Sequence, residues 1–231
     1  MPKPYKTEII GYNFNELSNE VKTRLYDEDH EFSYTVDFEP LEEDFREALD
    51  ELYGADPETL EVYSDVSYSQ GSGACCVGEL DVETVLKNRI GSYFTKVLKL
   101  IESRKVEIDT ITIVRCGPSN FYCHENTCRV EITYVDDPTL VDGWPVEEAE
   151  ELEEMLTNAI REELCTFYSK LQDHYEDSTS FEAYCVTMEN SDLVYTEEGQ
   201  VVDPAFIRNA DVYDGYQLKL DFEDQGDYNF T

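Results

Sequence analysis

Behind Pro145, the apolar residues Val146, Ala149, Leu152, Leu156, Ile160, Leu164, Phe167 and Leu171 recur at three- and four-residue intervals. That spacing lines them along one stripe of a helix and predicts a single helix running to about Tyr175. Such a stripe needs a second layer to cover it. Residues 106–115 are β-branched and strand-like, and 119–123 and 128–135 flank the polar turn His124-Glu125-Asn126-Thr127, so a three-stranded meander is the expected partner.

The remaining pattern extends this mixed architecture. Residues 5–12 read as a strand, and Phe14, Leu17, Val21 and Leu25 predict a helix over about 15–27. Residues 31–38 alternate like a strand over a short stretch that is also compatible with a lead-in to a helix. Pro40 suits the first turn of a helix over 41–53, with Gly54 just past its end. Segments 60–68 and 74–80 predict a hairpin across Ser69-Gln70-Gly71-Ser72-Gly73. Asp81 is placed to cap a long helix from Val82 to Ile101, interrupted only by Gly91. Strands are expected near 181–188, 192–197 and 212–222, with a short helix opening at Asp203-Pro204. The fold class is therefore α+β, an antiparallel sheet of hairpins and meander packed with about three main helices. One domain over 1–231 is expected, with a subdomain boundary at 136–145 as the alternative.

Order is expected because 41% of the residues are hydrophobic and 13% aromatic, which separates the chain from acidic disordered tails. No apolar run of about 18 residues and no apolar leader segment is visible, and the seven cysteines are odd in number and scattered. These features predict a soluble, cytoplasmic protein with reduced thiols.

Charge is the outlying property: 17 Lys and Arg face 53 Asp and Glu, a formal net charge of −36. That balance repels nucleic acid and anionic membranes and attracts basic surfaces. A compact chain of this length is about 45 Å across, and duplex DNA carries on the order of 26 charges over that distance. The chain has enough charge to imitate DNA if the carboxylates are concentrated on one side.

Several carboxylates recur at i, i+4 without lysines between them: Glu43, Glu47 and Glu51, Glu147 with Glu151, and Glu150 with Glu154. Each like-charge pair costs a helix roughly 0.2–0.5 kcal/mol, whereas acids in a first turn are favoured by the helix dipole. The plain alternative is a solvated face that serves solubility. The bias is shared by 27–31, 42–51 and 147–154, and this favours a surface in use. Candidate partner contacts are Glu42, Glu43, Glu47, Asp50 and Glu51 on one helix, with Glu147, Glu150, Glu151, Glu153 and Glu154 on another.

Candidates for chemistry are weaker. Cys116, Cys123, His124 and Cys128 are of zinc-ligand type, but C-x6-C-H-x3-C lacks paired C-x2-C knuckles. Cys123 with His124 or His174 lacks any activating positive charge. Ser69–Ala74 lacks the Gly-Lys-Ser/Thr ending of a phosphate loop, and Asp211-x-x-Asp214-Gly215 lacks calcium-loop spacing. The expectation is a chain with no cofactor, metal or catalytic activity.

Phe14-Asn15-Glu16-Leu17-Ser18-Asn19-Glu20-Val21-Lys22, the Tyr68-Ser69-Gln70-Gly71-Ser72-Gly73-Ala74 hairpin and Leu193-Val194-Tyr195-Thr196-Glu197-Glu198-Gly199 resemble segments of acidic proteins of unassigned function from tailed phages. The resemblance implies a phage source, where folded acidic proteins act as DNA mimics against restriction and other host defences. It supplies no catalytic residues. The combined expectation is a non-enzymatic inhibitor of a basic, nucleic-acid-binding host protein, binding neither nucleic acid nor membrane. One alternative is a phage regulator that docks on host polymerase or a replication protein through aromatic anchors such as Trp144, Tyr63 or Tyr68. The other is a small enzyme built on the 116–128 cluster. Oligomeric state is left open, and a homodimer is compatible with the sequence.

Overall fold

A computed structural model describes residues 8–29, 36–67, 72–88, 95–116, 123–202, 211–213 and 217–221. In chain order its elements are β1 (Glu8–Gly11), α1 (Asn19–Asp29), α2 (Glu39–Tyr53), β2 (Glu61–Asp65), β3 (Gly73–Leu80), α3 (Val82–Asn88), α4 (Thr95–Glu102), β4 (Ile108–Arg115), β5 (Cys128–Tyr134), α5 (Val146–Ser178), α6 (Phe181–Glu189), β6 (Asp211–Tyr213) and β7 (Gln217–Asp221). The fold is α+β. The chain divides into two compact units, Asp37–Tyr175 and Met1–Val36 with Glu176–Thr231, and segment 136–145 lies inside the former.

In the unit Asp37–Tyr175 an antiparallel sheet runs in the order β2-β3-β4-β5. The expected hairpin pairs Val62 with Cys76 and Ser64 with Ala74. Strand β3 continues the sheet by pairing Gly78 with Ile113, and β4 pairs Ile111 with Ile132 and Ile113 with Val130. Alternate β-branched residues on these strands, Ile111, Ile113, Val130 and Ile132, are buried. Helix α2 follows its sequence signals: Pro40 sits in the first turn, Phe45, Leu49 and Tyr53 are buried, and Gly54 ends it at φ 67°. A Cβ on Gly54 would also lie 2.5 Å from the Asp81 Cβ.

Helix α5 buries the stripe read from the sequence, with Leu152, Leu156, Leu164 and Leu171 fully inaccessible. Each such leucine contributes roughly 1.5–3 kcal/mol through removal of apolar surface from water. Helix α2 lies antiparallel to it: the rings of Phe45 and Phe167 stack at 4.4 Å, and Phe38 meets His174 edge-on at 6.0 Å.

A second row on α5 ties the helix to the edge strand. The Val130 N–H donates to Thr157 Oγ1 (2.9 Å), the Ile132 N–H donates to Glu153 Oε1 (3.0 Å), and Arg161 Nε donates to the Cys128 carbonyl (3.0 Å). Four helix residues advance about 6.0 Å and two strand residues about 6.8 Å, so a row spaced by four meets every second strand residue.

Differences from expectation are local. The helix expected over 82–101 is described as α3 and α4, with 89–94 outside the described residues. Asp81 does cap α3, its Oδ1 accepting from the Thr84 N–H at 2.8 Å. The strand expected at 31–38, the tip residues 68–71, residues 119–122 and the helix at Asp203-Pro204 lie wholly or mostly outside the described residues. Cys123 and His124 precede a 3-10 turn over Glu125–Thr127.

In the other unit β1, β7 and β6 form an antiparallel sheet, and Phe14, Leu17, Tyr184 and Tyr195 form a small core. The strand expected at 181–188 is instead helix α6. Ser180 caps it, its Oγ accepting from the Ala183 N–H at 3.2 Å. Phe181, Tyr184, Cys185 and Met188 also follow a helical period that outweighs the short alternation. Tyr184 is anchored edge-on against Phe14 at 5.6 Å, and its hydroxyl donates to Asp29 at 2.9 Å.

The edge-strand row gives a direct test. Thr157→Val keeps the side-chain shape but strands the buried Val130 N–H, and should lower stability by about 1–3 kcal/mol in urea unfolding. Glu154→Gln, one residue from Glu153 but on the outer face, should change it by about 0.5 kcal/mol or less.

Candidate functional site

The ten carboxylates singled out from the sequence separate into two groups. Glu43, Glu47, Asp50 and Glu51 on α2 and Glu147, Glu150, Glu151 and Glu154 on α5 are all exposed. None of these eight makes an ion pair or side-chain hydrogen bond among the described residues. On α2 they occupy the side opposite Phe45, Leu49 and Tyr53, because Glu43, Glu47 and Glu51 follow one another every fourth residue.

Glu42 and Glu153 belong to the fold instead. Glu42 is half-buried, pairs with Arg46 at 3.5 Å and accepts from Ser64 Oγ at 3.4 Å. Glu153 holds the Ile132 N–H. Glu148 behaves likewise: its carboxylate accepts from the Lys96 and Val97 N–H groups at 3.3 and 3.2 Å, at the start of α4.

The outer row on α5 is longer than its sequence run. A shallow groove of about 440 Å³ is lined by Glu151, Glu154, Met155, Asn158, Ala159 and Glu162. Glu162 is exposed and lies four residues beyond Asn158, which interrupts the run of acids but not the helical face.

The α2 and α5 rows succeed one another rather than running side by side. Phe45 faces Phe167 and Phe38 faces His174, so in this antiparallel register Glu51 lies level with residue 161 and Glu43 with 169. From that level to Glu147 the α5 axis advances about 33 Å. Ten exposed carboxylates, the eight above with Asp44 and Glu162, occupy this length. Their mean axial step of about 3.7 Å is close to the ~3.4 Å phosphate step of one DNA strand, and about twice the ~1.7 Å of a duplex.

The members of the Cys/His cluster meet different partners in the fold, and Cys75 and Cys76 join Cys123 and Cys128 there. His124 Nδ1 accepts from the Asn126 N–H at 3.2 Å and lies 3.0 Å from Glu125 Oε2. The buried Cys128 thiol exchanges 3.4 Å contacts with the Cys76 backbone. Cys75 is pushed up by its hydrogen bond with Cys128 and by burial, and Cys123 by burial and then by Cys75. Cys128 rises to about 11: the Cys75 hydrogen bond pulls it down, but the Cys76 hydrogen bond and burial outweigh that. All three shifts oppose a thiolate at neutral pH. Among the described residues no group of three or more His, Cys, Asp or Glu could hold a metal ion. Gly73 lets the hairpin approach this turn, since a Cβ there would lie 2.3 Å from the Cys123 carbonyl.

Of the aromatic anchors, Tyr63 lies under the Arg115 guanidinium at 5.3 Å and donates its hydroxyl to Glu61. Tyr68 is outside the described residues. Trp144 is half-buried and packs edge-on against Tyr134 at 5.3 Å. Burial, then the Glu153 charge, raises the Tyr134 hydroxyl to about 12.

The folded value of Tyr134 exceeds its unfolded value of about 10, so its stabilisation is complete below pH ~10 and is lost as pH rises towards 12. Tyr134→Phe should therefore flatten the alkaline fall in stability over that window, read from urea midpoints; an unchanged slope contradicts the assignment.

Residues 38–180 match the family described as a domain of unknown function (DUF8835), more than half of the chain, and the chain belongs to that family. The matched span agrees within five residues at either end with the unit Asp37–Tyr175, which carries both acidic rows. No curated protein and no solved structure matches the chain. No helix among the described residues is long and apolar enough to cross a membrane.

Proposed function

We propose that this member of the family is a non-enzymatic inhibitor that presents its carboxylate strip as a mimic of nucleic-acid phosphates. It would occupy the nucleic-acid-binding groove of a basic host protein, a restriction or other defence nuclease, and compete with DNA there. The observation that carries the reading is the absence of cationic partners, among the described residues, for these ten exposed carboxylates of α2 and α5. Helices gain nothing from like charges at i, i+4, so stability alone gives no reason for these rows.

The axial step supports one strand of phosphates more closely than a duplex, and suits a groove that tracks a single backbone with Arg and Lys. Exposed ion pairs contribute little singly and accumulate over a row. The strip also excludes nucleic acid and anionic lipid as ligands by repulsion.

Capture from bacterial lysate, with and without excess duplex DNA, tests the reading. Captured proteins should be nucleic-acid binders that DNA displaces and that rising salt releases. Changing one carboxylate to its amide should alter affinity by roughly twofold or less, and changing all ten should lower it by about a hundredfold or more. Captured proteins that bind no nucleic acid, or that DNA leaves in place, would contradict the proposal.

A further inference from the structure

We infer that residues 134–147 form an apolar anchor site, at the α5 end of the carboxylate strip, for a basic protein segment bearing one aliphatic or aromatic side chain between Lys or Arg residues. This rests on the acidic-strip reading for its charge partner, and adds a contact that charge does not supply.

Leu140 is 83% exposed, Val135 55% and Val146 50%, three large apolar side chains within twelve residues of chain. A shallow surface hollow of about 460 Å³ is lined by Thr139, Leu140, Val141, Asp142, Trp144 and Val146. The backbone that presents them is fixed. Asp137 Oδ1 accepts from the Thr139 N–H at 2.9 Å, the Val141 N–H donates to the Pro138 carbonyl at 3.0 Å, and the Trp144 N–H donates to the Val141 carbonyl at 3.1 Å. Leu140 is thus held outward by a defined turn, and a partner that covers it orders little of this chain.

Charge selects the occupant. Between Arg129 and Arg161 the chain has ten Asp and Glu and no Lys, Arg or His. Asp136, Asp142 and Glu147, all exposed, flank the apolar residues. A rim of one sign repels nucleic acid, and it repels a second copy of this chain meeting it through the same patch, while a cationic segment is attracted. An apolar anchor seated among such charges is the arrangement in which a few side chains carry most of the affinity.

Trp144 is the single tryptophan of the chain, so its emission reports on this site. The full-length protein would be titrated with a synthetic peptide alternating Lys and Leu, and with an oligolysine of equal charge. The Lys/Leu peptide should move Trp144 emission to the blue and bind about tenfold tighter, as expected from burying one aliphatic side chain. The difference should survive 0.5 M salt, roughly the regime where exposed ion pairs are screened. Leu140→Ser, with an unchanged urea midpoint, should abolish it. Equal affinity for the two peptides, unmoved emission, or undiminished Lys/Leu binding by Leu140→Ser would each overturn the proposal. So would an emission shift with zwitterionic lipid vesicles and none with peptide. The variant with all ten acids changed to amides separates the two readings: undiminished oligolysine binding by it refutes the strip, while the Leu140→Ser comparison still decides the anchor.

Discussion

Strand β5 is the last in its sheet, and the backbone groups it turns away from β4 have to find partners elsewhere. Helix α5 supplies them from Glu153, Thr157 and Arg161, a row whose ~6 Å spacing approximates two residues of extended chain. This near-match of repeats seals an edge that would otherwise pair with another chain. It also fixes the rotation of α5 about its axis. With 153, 157 and 161 on the strand and Leu152, Leu156 and Ile160 in the core, Glu147, Glu151 and Glu154 are left facing solvent. The position of the acidic surface is therefore a by-product of how the sheet edge is closed.

Much of this arrangement was legible before any coordinates. The α5 stripe, the Pro40 and Gly54 signals of α2 and the 60–80 hairpin are local patterns, each set by residues within one turn or one pleat. The misreading at 181–188 came from a segment short enough to satisfy two periods, decided by the Ser180 cap and by packing of Tyr184 on Phe14. Glu153 and Glu42 could not be separated from their neighbours in sequence. Their roles depend on Ile132 and on Arg46 with Ser64, and the first and last of these are some twenty residues away. Glu162 was hidden by Asn158, although counting four residues at a time along the outer face would have found it.

The unit that holds these features uses acids in two different ways. Glu148 and Glu153 neutralise unpaired N–H groups at a helix start and a strand edge, where a carboxylate accepts a strong hydrogen bond. The outer acids have no such outlet and repel one another. The core beneath, from Phe45 on Phe167 to the leucines of α5, is what makes that repulsion tolerable.

The antiparallel packing of α2 on α5 has a geometric result for the strip. Side chains lean towards the N-terminus of their own helix, so the carboxylates of the two halves lean away from each other, outward from the level of residue 161. The two acidic rows consequently run with opposite polarity along the pair of helices, so neither repeats the direction of the other.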